Sequence, residues 1–158
     1  MNRRHLLAAV AATLAFTAAA PSAFADEPVY TKRFSNVAVG GADAVAFFNQ
    51  NAKVDGSEEF STEYNGAVWR FSSQENLDMF VADPAAFAPQ YGGYCAWAMA
   101  QGKMAPGNPK FWKVVDNKLY LNFNGDIQEK WEADIPGFIT KADAQWPSVS
   151  GISAGSGS

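Results

Sequence analysis

Tyr64-Asn65-Gly66-Ala67-Val68-Trp69-Arg70-Phe71-Ser72-Ser73-Gln74-Glu75 is the stretch that decides the fold. Asn65-Gly66 is the preferred pair for a two-residue type I′ turn, because both central positions need positive φ. It is flanked by Glu59–Tyr64 and Ala67–Phe71, which read as the two strands of a hairpin. Ser72 followed by Glu75 has the spacing of a capping box, serine at N-cap and glutamate at N3. It opens a helix of about ten residues, with Leu77, Phe80 and Val81 at the i, i+3, i+4 spacing of one apolar face. Asp83-Pro84 then starts a further short helical turn, aspartate capping and proline at the first helical position.

Working outward, a second hairpin is predicted from Phe111–Val115 and Lys118–Phe123, joined by Asp116-Asn117. Asn124 caps a helix running to about Trp131, and a last helix follows Asp134-Ile135-Pro136. Upstream, Gly40-Gly41 marks an unusual backbone turn. The apolar run Ala44–Phe48 after it reads as a buried strand, and Asn49–Ser57 as a polar loop. Pro89–Gly93 breaks regular structure. Tyr94–Ala100 fits strand or helix by period, with its Ala and Met content favouring helix. Gly102–Pro109 reads as a loop, and no long internal repeat is legible in the residue identities. The fold class that follows is α+β: a small, twisted, mainly antiparallel sheet with helices packed on it.

Residues 1–25 have the pattern of a secretory signal peptide. Arg3 and Arg4 form the positive n-region, Leu6–Ala20 the apolar run, and Ala23-Phe24-Ala25 the cleavage site. A periplasmic location is therefore expected, with residues 26–36 an extended lead-in, 37–147 one domain, and the Gly/Ser-rich 148–158 a flexible tail. Removal of the leader would leave about 133 residues, enough for one core, with ten basic residues against sixteen acidic. That acidic balance argues against nucleic acid as a partner, and no second membrane segment is present. The remaining partners are a metal ion or a small molecule.

Cys95 is the only cysteine and His5, inside the leader, the only histidine. No internal disulfide can form, and Cys–His hydrolytic catalysis is excluded once His5 is removed. With no acid–base constellation elsewhere, an enzyme is not the favoured reading. Cys95 is then an inert buried side chain, a soft-metal ligand, or a redox thiol. Copper(I) accepts a few thiolate and thioether donors without histidine. Met99, one helical turn on, and Met104 are the nearest thioethers, with Met79 a further one. As a redox thiol, Cys95 would act through a sulfenic acid, a mixed disulfide, or an intermolecular disulfide making a homodimer. Asp43, Tyr91, Tyr94 and Trp97 are candidates for a ligand pocket, read against the ordinary alternative of turn and core residues.

Tyr64–Ser73, Asn76, Phe80, Ala82-Asp83-Pro84 and Phe87, together with Gly41-x-Asp43-x-Val45-Ala46-x-Phe48 and Tyr94-Cys95-Ala96, resemble the YHS domain. The arrangement is similar to the exported bacterial branch of that family, over roughly residues 37–147. The resemblance implies a small α+β domain, and cysteines and a histidine in this region are associated with heavy-metal binding in the broader family. This chain departs from that pattern: Asn65 stands where histidine would follow tyrosine, and Ser72 where a cysteine often follows the aromatic strand. A multi-thiolate zinc site therefore does not transfer. The exported branch centres instead on the Cys95 position, where some relatives carry selenocysteine, which implies a chalcogen that reacts or ligates.

Overall fold

Both hairpin turns form as their sequences dictate. Asn65 and Gly66 have φ of 48° and 73°, and Asp116 and Asn117 have 50° and 58°, all in the left-handed region that a type I′ turn requires. The computed structural model describes residues 27–151, so the expected leader, with His5, and the end of the expected tail lie outside the described residues. In chain order the elements are α1 (Ala46–Asn49), β1 (Ser57–Tyr64), β2 (Ala67–Phe71), α2 (Gln74–Ala82), α3 (Pro84–Phe87), α4 (Ala96–Ala100), β3 (Asn108–Val115), β4 (Lys118–Asn122), α5 (Gly125–Glu132) and α6 (Ile135–Val149). The class is α+β. The antiparallel strands form two separate hairpins, β1–β2 and β3–β4, rather than one continuous sheet. Among the described residues no helix is long and apolar enough to cross a membrane.

Three local expectations change. Ala44–Phe48 is not a strand: it contains the helical turn α1, because the Asp43 Oδ1 accepts from the amides of Val45 at 2.9 Å and Ala46 at 3.1 Å. Ala44–Phe47 is fully buried, and a short buried helix and a buried strand look alike by period. The helix after β2 is capped by Ser73, whose hydroxyl accepts from the Asn76 amide at 3.1 Å, not by Ser72. Ser72 is diverted to Asp43. Within α2, Phe80 is fully buried and Leu77 partly so, but Val81 is 57% exposed.

The larger correction is that the chain repeats itself. Position by position, β1–β2–α2–α3 recurs as β3–β4–α5–α6 at a spacing of 51 residues. The register irregularity between Ser57 and Ser61 recurs between Asn108 and Trp112. The caps Ser73 and Asn124 correspond, as do Asp83 and Asp134 before the following helices. Trp69 stacks on Phe80 at 4.9 Å between ring centres in one half, and Tyr120 on Trp131 at 5.4 Å in the other. Before each hairpin lies a tight turn with three consecutive positive φ values, Val39-Gly40-Gly41 (53°, 60°, 84°) and Tyr91-Gly92-Gly93 (57°, 61°, 86°). Two cores result, one around Trp69, Phe71 and Phe80, which Leu119 and Leu121 of β4 join, the other around Tyr120, Trp131 and Met99. The repeat escapes a reading by identity because, between 64–87 and 115–138, only Ala82, Asp83 and Phe87 recur, as Ala133, Asp134 and Phe138. What is retained is backbone conformation, capping and aromatic position.

Candidate functional site

Cys95 sits where the second tight turn hands over to α4. Its amide donates to the Ala105 carbonyl at 2.8 Å and its carbonyl accepts from the Met99 amide at 3.0 Å, so the residue is pinned on both sides. A parallel bridge joins it to Leu121 of β4. The side chain is 1% exposed. Around the sulfur converge the backbone amides of Ala98, Phe123 and Trp97, drawn from the start of α4 and from the end of the second hairpin. Asn122, fully buried, completes the surround: its Oδ1 accepts from the thiol at 3.6 Å and from the Trp97 amide at 3.2 Å. Its Nδ2 has no hydrogen-bond partner.

Two opposing effects act on the thiol. Burial disfavours the thiolate and pushes its pKa up, while the three amides favour the thiolate and pull the other way; burial prevails. At neutral pH the group is therefore a thiol whose deprotonated form has amide donors already in place.

The other predicted site residues are distributed unevenly about this point. Met99 is fully buried and packs in the second core. Met104 lies on the loop after α4 and is 39% exposed, next to Ala105, whose carbonyl the Cys95 amide holds. Among the described residues no cluster of three or more His, Cys, Asp or Glu could hold a metal ion. The donors on hand for a soft cation are thus one thiol and thioethers.

Asp43, Tyr91, Tyr94 and Trp97 do not form one pocket. Asp43 is fully buried in the first half and its carboxylate is filled by donors of its own chain. Tyr91 donates to Asp143 Oδ1 at 2.7 Å and lines a cavity of about 390 Å³ with Tyr64, Trp69 and Trp146. Burial first, then the Asp143 carboxylate, hold its phenol well above the usual tyrosine range. Tyr94 stacks on Tyr30 at 5.4 Å, and Trp97 carries Lys130 over its ring at 5.7 Å. A second cavity of about 390 Å³ is lined by Lys32, Lys53, Lys110 and Phe123, the last of which also turns its amide to the sulfur.

Sequence reasoning missed Asn122 and the three amides. The signal that finds them is the pair of Gly-Gly turns, Gly40-Gly41 and Gly92-Gly93, 52 residues apart, each followed two residues after its second glycine by the buried side chain, Asp43 in the first half and Cys95 in the second.

Two hairpin–helix units, each closing over one buried side chain at a tight turn, define a small α+β module. Residues 48–91, which span the first hairpin and its helices, match the YHS domain, a family associated with metal handling. No curated protein and no solved structure matched the chain in the corresponding comparisons.

Proposed function

We propose that this is an exported, periplasmic YHS-type protein of the bacterial branch that handles a soft metal, copper(I), through the Cys95 thiolate. The observation that carries the reading is the convergence of the Ala98, Phe123 and Trp97 amides on one sulfur. Amide donors compensate the charge of a buried thiolate, and a soft monovalent cation compensates it further. Met99, whose backbone is tied to Cys95 one helical turn away, supplies the second donor, and Met104 the donor nearer the surface. Two or three sulfur donors suit copper(I) and are too few for zinc. No acid–base pair accompanies them, so the role is binding rather than catalysis.

The test is copper(I) competition between the reduced protein and a chromogenic chelator. Stoichiometric binding lost in Cys95→Ser and weakened about tenfold or more in Met99→Leu is the expected result. Undiminished binding by Cys95→Ser sinks the reading.

The single-thiol redox alternative rests on the same three amides, which favour the thiolate against the burial that opposes it. Adduct mass after mild peroxide under metal-free conditions distinguishes it. A thiol silent toward both copper(I) and peroxide would leave Cys95 as packing.

A further inference from the structure

The repeat makes Cys95 the counterpart of a formal anion. The Asp43 amide donates to the Val54 carbonyl and the Cys95 amide to the Ala105 carbonyl, both at 2.8 Å. The Asp43 carboxylate accepts from the amides of Val45, Ala46 and Ser72; the Cys95 sulfur is faced by the amides of Trp97, Ala98 and Phe123, the corresponding residues of the second half, the Trp97 amide also donating to Asn122 Oδ1. In the first half, Ser72 Oγ at 2.7 Å and Asn76 Nδ2 at 2.8 Å complete the carboxylate's shell. In the second, the corresponding Phe123 and Ile127 have no side-chain donor, and the buried Asn122 enters instead with its Nδ2 unpartnered. A neutral thiol, with one weakly accepting atom, leaves this cradle underused. A sulfinate has the charge and the two oxygens of a carboxylate on the same one-carbon stem.

We infer that Cys95 is an oxidative modification site: a small hydroperoxide converts it to a sulfinate, which the second cradle holds as the first holds the Asp43 carboxylate. In the first step the sulfur attacks the peroxide oxygen. The O–O bond breaks, an S–O bond forms, sulfur is oxidised by two electrons, and the leaving oxygen takes the thiol proton and departs as water or an alcohol. The sulfenate repeats the step with a second hydroperoxide, giving the sulfinate. The chain has no second cysteine to divert the sulfenate into an internal disulfide. The lysine-lined cavity shares one residue with the cradle, Phe123, whose amide faces the sulfur.

The decisive experiment treats the folded, metal-free, full chain with hydrogen peroxide and follows it by intact-mass and peptide mass spectrometry, then by thermal unfolding. The expected product carries two added oxygen atoms on Cys95, stops short of the sulfonate, and melts at a higher temperature than the reduced protein. Cys95→Asp, which installs the first half's anion in the second cradle, is expected to melt at or above Cys95→Ala. Absence of oxygen on Cys95 in the folded protein, or an oxidised form that melts lower, overturns the inference, as does Cys95→Asp melting below Cys95→Ala. Copper(I) affinity of the reduced protein is read separately, so failure here does not decide the metal reading, nor the reverse.

Discussion

Ser72 gives Asp43 two hydrogen bonds across 29 residues of chain, one from its amide at 2.8 Å and one from its hydroxyl at 2.7 Å. With the amides of Val45 and Ala46 and the Asn76 side chain, they make the buried carboxylate the tie between α1, the first hairpin and α2. Deleting the acceptor strands buried donors that water cannot reach. Asp43→Ala should therefore cost about 3–5 kcal/mol in urea unfolding, a large share of a small domain's stability. Ser72→Ala removes one donor and keeps the amide bond, so about 1 kcal/mol is expected. The two losses should add to less than their sum in a double-mutant cycle, because both act on one network.

Gly56 and Gly107 occupy corresponding positions ahead of the two hairpins. A Cβ on Gly56 would run into the Arg70 backbone, and one on Gly107 into the Gly93 carbonyl and the Leu121 side chain. Both obstacles are chiefly backbone and cannot turn aside. Gly56→Ala and Gly107→Ala are each expected to lower the urea midpoint strongly. Gly66→Ala, at φ 73° with open space around it, should cost only about 1 kcal/mol from its left-handed backbone. Comparable losses at all three positions would contradict the repeat geometry.

Elements governed by local chemistry were legible in the residues. Asn65-Gly66 and Asp116-Asn117 specify their turns, and Asn124 and Asp134 cap their helices, because each such residue needs only its near neighbours. Ala44–Phe48 misleads because its conformation is set by the Asp43 carboxylate, which is itself fixed by Ser72 and Asn76 far along the chain. Cys95 could be singled out by its uniqueness, but its surround could not. Backbone amides leave no mark in residue type, and Asn122 reads as an ordinary end-of-strand residue. The correspondence of the halves would have exposed both, yet it survives in φ, caps and register rather than in identities.

Alkaline pH should destabilise the protein from about pH 9 upward. Burial raises the Cys95 thiol above 9.0 and the phenols of Tyr91 and Tyr94 above 10.0, and pushes Tyr120 up to about 12. Each raised group keeps its proton in the folded chain at a pH where the unfolded chain has lost it. The folded state then binds more protons, and stability falls as pH rises. The contribution is complete below pH 9, and its loss runs from the cysteine range through the tyrosine range to about pH 12. Urea midpoints measured from pH 8 to 11 should decline, and Cys95→Ala should flatten the first part of the decline while leaving the tyrosine part.

On the proposed copper(I) reading, the same raised thiol makes metal binding a proton-releasing reaction. Copper(I) must displace the Cys95 proton at neutral pH, so its apparent affinity should climb about tenfold per pH unit between pH 6 and 8. Competition titrations at several pH values read the slope directly. A flat profile would mean that the thiolate is not the ligand, since thioether donors have no proton to release in this range.

Tyr91 and Asp143 test how the second half holds its last helix. Tyr91, in the left-handed region at φ 57°, directs its hydroxyl to Asp143 Oδ1 on α6, and its ring packs against Tyr120 and Trp146. This hydrogen bond links the tight turn before Cys95 to a helix that otherwise meets α4 through apolar contacts. Tyr91→Phe keeps the ring and removes the bond, so a loss of about 1–2 kcal/mol is expected, the charged acceptor placing it above a neutral pair. Hydrogen exchange should quicken along α6 around Asp143 more than in α2, which belongs to the other half. Equal quickening in both helices would show that the two cores open together and that the tyrosine bond is not a local fastening.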